Sequence, residues 1–390
     1  MIKNKLVLLF FIGLTLCANA TDFSFLSKID SGTQFQALCP YADNNPPWPF
    51  SPPGPICLTK SNGYTTGPLV ADGCQANTND ASKVLTQSVV GMYYPNIESG
   101  VVVWNFSCSG SVVGSNWVLT AGHCVASSTP GAGEFYGIES VHPVLVLPWQ
   151  PNGSMPFNIY PDDKYFNQAY KVGSIYIPYA YNYYEVPESD QISYGNQKFN
   201  NQYIHADIAL LKTVKDFPIS EPNKMVALKI AQYTAAPGNP VWLVGYGDNN
   251  ITPPYGFSGY LNYHNIYYMT SIYPGNDGKA LNYGEVYSLG TLPLPKPGSG
   301  GTKYAWKFDG DGDSGGPLLY LDEDNKFEIT GTLTGGLYCN NAGFYARLPY
   351  PYVAHASMPY YYNEITAIIN GSATGSNTRC IASPYGKCPF

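Results

Sequence analysis

The segment "CSGSVVGSNWVLTAGHCV", Cys108 to Val125, places a histidine at the end of an apolar run that is typical of a strand. His123 stands between Gly122 and Cys124. A general base must be held rigidly, and a disulfide beside it would help to hold it. Cys108 and Cys124 lie on neighbouring predicted strands, so they can be bridged without strain. We therefore predict a rigidly held His123 next to a Cys108–Cys124 disulfide.

A carboxylate suited to orienting this histidine occurs in "HADIALLK", His205 to Lys212. Asp207 precedes the apolar strand "IALL" and should be partly buried, where it could accept a hydrogen bond from an imidazole and fix its tautomer. His205 is an alternative base or metal ligand, because residues two apart on a strand share a face. It lacks the Gly-His-Cys setting of His123, and we take it as structural.

The stretch "DGDGDSGGPL", Asp309 to Leu318, has two interpretations. A calcium loop would need glycine at its sixth position and glutamate at its twelfth, where the chain has Ser314 and Tyr320. A nucleophile loop would need glycines around a serine, since glycine permits the tight backbone that points two N–H groups at one spot. Gly312 and Gly315 flank Ser314 in this way. The stretch favours a nucleophile, and we expect no metal.

Together, "LTAGHC", "DIALL" and "GDSGGP", in the order His, Asp, Ser, resemble the trypsin-like (chymotrypsin-fold) serine endopeptidases over about Ser88 to Asn370. The resemblance implies an all-β fold of two six-stranded antiparallel β-barrels with the active site between them. It also implies His123 as general base, Asp207 as its orienting carboxylate, Ser314 as nucleophile, and the N–H groups of Gly312 and Ser314 as oxyanion hole. It implies protein or peptide substrates and no cofactor. "GYG", Gly245 to Gly247, matches a turn after a strand of the second barrel.

The same resemblance implies a substrate pocket. The pocket residues that match the family's pattern are Phe308, Asp309, Thr334, Gly336 and Gly343. Phe308 occupies the position at the base of the pocket, and Asp309 could serve there only if the loop is shifted by one residue. Gly310 stands where relatives commonly have a cysteine, so Cys339 must pair elsewhere. We expect an apolar or aromatic P1 side chain.

Activation by cleavage is a further implication. In many relatives a freed Ile or Val ammonium pairs with the aspartate before the nucleophile, here Asp313. The candidate new N-termini are in "SVVGM", Ser88 to Met92, and at Val84 after cleavage behind Lys83. A chain that needs no cleavage is the alternative.

The beginning of the chain is typical of an exported protein. Lys3 and Lys5 precede the apolar run Leu6 to Leu16, and "ANA" precedes Thr21, which predicts a signal peptide over 1–20. Its removal would leave eight cysteines, an even number that favours disulfides in an oxidising compartment. The net charge of −7 excludes a basic nucleic-acid-binding protein. We expect a secreted monomer that does not insert into a membrane.

Four regions are predicted along the chain. After the signal, residues 21–87 read as a pro-segment or a disulfide-stapled extension rich in Cys and Pro, 88–370 as the protease domain, and 371–390 as a polar tail in which Cys380 and Cys388 can bridge. A helix is predicted over Tyr360 to Asn370. The Tyr-rich stretch from Val125 to Tyr203 should form hairpins and surface loops. Its tyrosines support an alternative function, a catalytically silent homologue that binds surfaces or carbohydrate.

Overall fold

The described part of the chain contains two eight-stranded sheets, four smaller sheets and three helices. The computed structural model describes residues 56–57, 65–66, 74–76, 78, 82–127, 135–136, 140–151, 153–185, 192–194, 197–199, 202–219, 225–233, 240–247, 259–269, 285–289, 312–322, 324, 326–337, 352–371 and 377–388. The predicted signal peptide therefore lies outside the described residues.

Most of the described elements are short strands, as the turn-rich composition predicts. The first thirteen strands are β1 (Ile56–Cys57), β2 (Thr65–Thr66), β3 (Cys74–Gln75), β4 (Val89–Glu98), β5 (Val101–Gly114), β6 (Trp117–Thr120), β7 (Ala126–Ser127), β8 (Phe135–Tyr136), β9 (Ser140–Val141), β10 (Leu145–Pro148), β11 (Asn158–Ile159), β12 (Tyr170–Pro178) and β13 (Asn182–Glu185). The remaining twelve are β14 (Ile192–Tyr194), β15 (Gln197–Phe199), β16 (Gln202–His205), β17 (Ala209–Thr213), β18 (Lys229–Ile230), β19 (Pro240–Gly245), β20 (Asn262–Met269), β21 (Glu285–Leu289), β22 (Pro317–Leu321), β23 (Phe327–Leu337), β24 (Tyr352–Ser357) and β25 (Thr378–Ala382). The helices are α1 (Lys83–Ser88), α2 (Lys164–Gln168) and α3 (Met358–Ile369).

The first large sheet closes into a six-stranded antiparallel barrel. Its strands follow the order β4-β5-β6-β17-β12-β10, and β10 returns to pair with β4, Leu147 opposite Gly91. The expected all-β architecture with a closed barrel is thereby confirmed. Closure removes the unpaired strand edges that an open sheet would expose.

The barrel strands are apolar on both faces. In β10, Val146 belongs to one buried cluster and Leu145 and Leu147 belong to another that also includes Trp242 of β19. β17 alternates in the same way, with Leu210 in the cluster shared with β19 and Leu211 in the other. Because both faces are buried, the strands read in the sequence as continuous apolar runs, and each buried leucine stabilises the fold by about 1.5–3 kcal/mol.

The Tyr-rich stretch is not simply an insert of hairpins and loops. It supplies two of the six barrel strands, β10 and β12, of which β12 pairs with β17 along Val172 to Tyr176. The prediction of hairpins holds for other parts of the stretch, since β14 and β15 pair with each other and β13 pairs with β8 and β16. The tyrosines of β12 contribute to the buried core, where Tyr176 is 8% exposed and lies beside the Trp117 ring.

The second large sheet carries the residues around Ser314. Its strands follow the order β23-β22-β19-β20-β21-β24, and β24 also pairs with β23. Strand β18 joins β23 in parallel, the one parallel pairing among those that the structure describes. These are backbone pairings, and the expected second barrel stays a prediction.

Segments outside the predicted protease domain, on either side of it, also join these sheets. Before the predicted protease domain, Cys74 pairs with Tyr263 of β20, and Leu85 of α1 is fully buried. In the predicted tail, β25 pairs with β12 along Ser174 to Pro178, and a disulfide joins Cys380 to Cys388. The tail therefore adds a strand to the first sheet.

The predicted helix near the end is present as α3, where Ile365 and Ile368 are buried. It begins at Met358, two residues before the predicted start. No helix among the described residues combines the length and the apolar character that crossing a bilayer requires.

The two candidate activation sites lie inside packed elements. Val84 is in α1, and Val89 begins β4, whose next residues pair with β5 on one side and β10 on the other. Freeing an N-terminus at either place would require these elements to rearrange, and both activation sites stay predictions.

Candidate active site

His123 and Asp207 are brought together by the pairing of two barrel strands. His123 follows β6 and Asp207 precedes β17, and these strands pair with Thr120 opposite Ala209. The end of one strand thus lies beside the start of its antiparallel neighbour. The Asp207 carboxylate accepts two hydrogen bonds from His123, at 2.7 Å between Oδ2 and the ring Nδ1 and at 2.8 Å between Oδ1 and the backbone N–H. The expectation that Asp207 is partly buried is met in stronger form, since it is 1% exposed.

This contact sets the protonation state of the imidazole. A proton on Nδ1 is donated to Asp207, which leaves Nε2 with a lone pair able to accept a proton. Burial by itself lowers the pKa of His123, but the negative charge of Asp207 and the hydrogen bond to it outweigh burial, so the net pKa lies above the ordinary value. The pair is thus arranged to stabilise an imidazolium when one forms.

Two features around Asp207 were not evident from the sequence. Ala206 adopts φ +50°, a left-handed conformation that costs a residue with a Cβ about 1 kcal/mol. Gly122 lies against the Tyr181 ring, and a Cβ there would approach it to 2.7 Å. Glycine before His123 is therefore required by packing, and the left-handed Ala206 immediately precedes Asp207.

The predicted disulfide is present beside the histidine. Cys108 and Cys124 are bonded, with their Cα atoms 6.2 Å apart. The two sulfurs and the His123 ring lie within 4.8 Å of one another, which would suit a metal ion if the thiols were free. Because both sulfurs are in the disulfide, they cannot act as thiolate ligands.

The loop around Ser314 is tied down on several sides. The Gly316 N–H donates to the Asp313 carbonyl at 2.8 Å, and the Gly315 N–H donates to Leu333 of β23 at 2.8 Å. The Ser314 carbonyl accepts from the N–H of Ser109 on β5 at 2.9 Å, a contact between the two sheets. The loop that carries Ser314, the predicted nucleophile, is thus held by the first barrel as well as by its own sheet.

Asp313 belongs to the framework of this loop. Its Oδ1 accepts the Gly247 N–H at 2.7 Å, and a Cβ on Gly245 would come within 2.2 Å of the same oxygen. The "GYG" segment begins at the last residue of β19 and so lies at the end of a strand. Its glycines let the backbone close around the carboxylate. This contact supports the interpretation of Asp313 as a structural carboxylate.

Gly315 is the point where this loop meets the strand that leads to His123. It has φ +78°, and a Cβ there would lie 2.1 Å from Thr120 Oγ1, 2.5 Å from the Ser109 carbonyl oxygen and 2.9 Å from the Ala121 nitrogen. Ser314 therefore sits next to the turn that carries His123. The structure brings His123 and Asp207 into contact and places the Ser314 loop against the same turn.

We expect Gly315→Ala to destabilise the protein by about 2–4 kcal/mol, because it adds a left-handed alanine and an overpacked contact. The measurement is the urea midpoint of the purified variant. Gly371→Ala is the matched control: Gly371 also has positive φ, at +69°, but a Cβ there would meet nothing within 4 Å. A Gly315→Ala variant that unfolds at the control's midpoint would contradict the packing described here.

The predicted pocket is described only in part. Thr334 and Gly336 lie on β23, whereas Phe308, Asp309 and Gly343 lie outside the described residues, as does Cys339. Beyond Thr332, which pairs with Pro317 of β22, strand β23 continues to Leu337 with β24 on one side. On the edge of β23 that faces β22, the pairing with β22 ends at Thr332, and the next residue, Leu333, is hydrogen-bonded to the loop that carries Ser314.

Comparison with known protein families agrees with this arrangement. The family model described as Trypsin matches residues 89–143 and 186–354, more than half of the chain. The chain belongs to the trypsin family, a family of serine proteases that act on protein substrates. The resemblance stated from the three motifs is thus confirmed. The interval between the two matched parts contains β10 and β12, so the structure completes the barrel where the family match is interrupted.

Proposed function

We propose that this chain is a secreted serine endopeptidase that hydrolyses peptide bonds through an acyl-enzyme on Ser314. The observation that carries the proposal is the pair of hydrogen bonds from His123 to a buried Asp207, beside a nucleophile loop held against the same barrel. A buried carboxylate that fixes the histidine tautomer is what general-base catalysis by Nε2 needs.

Acylation would use each of these groups in turn. Ser314 Oγ attacks the substrate carbonyl carbon while His123 Nε2 takes the hydroxyl proton. The carbonyl oxygen becomes an oxyanion, which the N–H groups of Gly312 and Ser314 stabilise. His123 then gives its proton to the leaving amine as the C–N bond breaks. In deacylation, water replaces the amine and the same steps release the acid and restore Ser314.

Substrate binding would extend β23. Extended peptides add to sheets by main-chain hydrogen bonds, and the backbone of Thr334 and Gly336 lies on the part of β23 beyond its pairing with β22. A peptide paired there would deliver its scissile bond to the adjoining nucleophile loop. An apolar or aromatic P1 residue stays our prediction for the specificity.

Export is supported by the two disulfides, Cys108–Cys124 and Cys380–Cys388. Disulfides form and persist in oxidising compartments. The predicted signal peptide over 1–20 is the independent sequence argument for secretion.

The pH dependence of activity follows from the His123 pKa. The base must be neutral, so kcat/KM is lost as the pH falls through that pKa, which Asp207 raises in net terms. We expect the acidic limb of kcat/KM to have its midpoint above about 6.5, the usual histidine value. The measurement is a pH–rate profile on a peptide amide between pH 4 and 9. A midpoint well below 6 would contradict His123 as the base in this environment.

The test of the proposal is covalent labelling. A fluorophosphonate should react with the folded protein, and mass spectrometry of the digest should locate the adduct on Ser314. The competing function, a catalytically silent homologue that binds through its tyrosines, predicts no adduct and no hydrolysis of denatured casein. Labelling of another serine would overturn the assignment of Ser314.

A further inference from the structure

Ser109 makes an unusual set of hydrogen bonds at the junction between the two sheets. It lies on β5, fully buried, next to the disulfide cysteine Cys108. Its Oγ donates to the Gly312 carbonyl at 2.9 Å, and its N–H donates to the Ser314 carbonyl at 2.9 Å. The same Oγ accepts the N–H of Tyr246, in the turn after β19, at 3.0 Å. One residue of the barrel thus holds two carbonyls of the nucleophile loop.

The proposed oxyanion donors alternate with these carbonyls along the backbone. In the proposed mechanism the N–H groups of Gly312 and Ser314 bind the oxyanion, and the peptide unit between residues 312 and 313 lies between these two donors in the chain. Gly312 has φ +103° and no Cβ. The peptide unit that follows a glycine can adopt more orientations than one that follows a residue with a Cβ. The hydrogen bond from Ser109 Oγ to the Gly312 carbonyl selects one of them.

We propose that Ser109 is a positioning residue that orients the oxyanion hole, an inference that rests on the proposed function. Serine suits this place because a hydroxyl is both a donor and an acceptor. It can therefore donate to Gly312 while it accepts from Tyr246. Gly312 itself lies against Phe106, whose ring a Cβ on Gly312 would approach to 2.4 Å. Thr120 anchors Ser109 in turn, its Oγ1 donating to the Ser109 carbonyl at 2.9 Å.

This role predicts a specific kinetic change in Ser109→Ala. Removing a direct oxyanion donor costs about 10²–10³-fold in kcat, and loss of its orienting contact should cost about 10–100-fold. KM should stay within about threefold of the wild-type value, because the ground-state carbonyl depends less on the oxyanion donors than the tetrahedral intermediate does. The acidic limb of the pH profile should not move, since the contacts between His123 and Asp207 are untouched.

The experiment compares four proteins: wild type, Ser109→Ala, Ser109→Thr, which keeps the hydroxyl, and the control Ser111→Ala. Ser111 is also buried on β5, at 1% exposure. The turnover number on a peptide amide is calculated from the concentration of titrated active sites, so misfolded molecules do not lower the measured kcat. Affinity is measured for a peptidyl boronic acid, which forms a tetrahedral adduct, and for a product peptide, which does not. Boronate affinity should fall with kcat in Ser109→Ala only, and Ser109→Thr should regain at least part of both.

Two kinds of failure are distinguishable. If the wild type is neither labelled at Ser314 nor active, the proposed function itself is wrong. If the wild type is active and Ser109→Ala keeps its kcat and boronate affinity per titrated site, only the role of Ser109 is overturned. A loss of thermal stability alone, equal to that of Ser111→Ala, would also overturn it, because a purely structural serine would lower the melting temperature without changing turnover.

Discussion

Ser314→Ala is expected to lower kcat by about 10⁶-fold while leaving the fold intact. The alanine removes the Oγ that would form the acyl bond, and no other hydroxyl can take its place in a loop fixed by the Gly316 to Asp313 and Ser109 to Ser314 hydrogen bonds. Those bonds use backbone groups, so they persist in the variant. The measurement is release of a chromophoric amine from a peptide substrate, with circular dichroism and a thermal melt on the same sample.

The matched control for this variant is Ser115→Ala, which removes an exposed hydroxyl from the turn between β5 and β6. It should retain the full kcat. Activity in Ser314→Ala above about one per cent of the wild type, with a clean sample and a normal melt, would show that another group is the nucleophile.

Asp207→Asn is expected to lower kcat by about 10⁴-fold. The reason lies in the two contacts of the carboxylate. Oδ1 accepts the backbone N–H of His123, so an asparagine must place its oxygen there and its NH₂ group against the ring Nδ1. Nδ1 would then have to be the acceptor and Nε2 would carry the proton. In that tautomer His123 cannot take the proton of Ser314.

The pH profile provides a second readout of the same substitution. Without the negative charge that raises the pKa of His123, the acidic limb of the residual activity should move to lower pH than in the wild type. Asp216→Asn, an exposed carboxylate after β17, is the control and should change neither kcat nor the limb. If Asp207→Asn retains more than a tenth of the wild-type kcat, the carboxylate does not orient the base as described.

The two substitutions act at different levels of the structure. In the proposed mechanism Ser314 contributes a single atom to the reaction, whereas Asp207 acts through the His123 ring to which it is hydrogen-bonded. The Asp207 position depends on the register of β6 and β17, in which Thr120 lies opposite Ala209. A shift of that register by one residue would turn Asp207 away from His123, because side chains alternate between the two faces of a sheet. The barrel is therefore a precondition of the site.

The predicted tail, residues 371–390, is part of the fold because one of its segments pairs with a barrel strand. β25 covers part of β12, and a cysteine of that strand, Cys380, is bonded to Cys388. The sequence indicated the local bridge, since the two cysteines are close along the chain. It did not indicate strand β25, because "TRCIA" is short and is more polar than its partner β12.

The local chemistry of the site was readable from short stretches of the chain. The family membership, the Cys108–Cys124 disulfide, the contact between His123 and Asp207 and the helix near the end were all predicted from short motifs and were found in the structure. Such motifs are readable because each depends on stereochemistry within a few residues, such as a glycine at positive φ, a cysteine beside a histidine or a carboxylate before an apolar strand.

The pairing of distant segments became visible only in the folded chain. It assigned β10 and β12 of the Tyr-rich stretch to the barrel, β25 to the same sheet, and Ser109 to the loop of Ser314. Nothing local distinguishes these segments, because a strand's partner and register are selected by burial of side chains far apart in the chain. The hydroxyl of Ser109 became a candidate for positioning the oxyanion hole only once the two sheets had brought it to Gly312, 203 residues further along the chain.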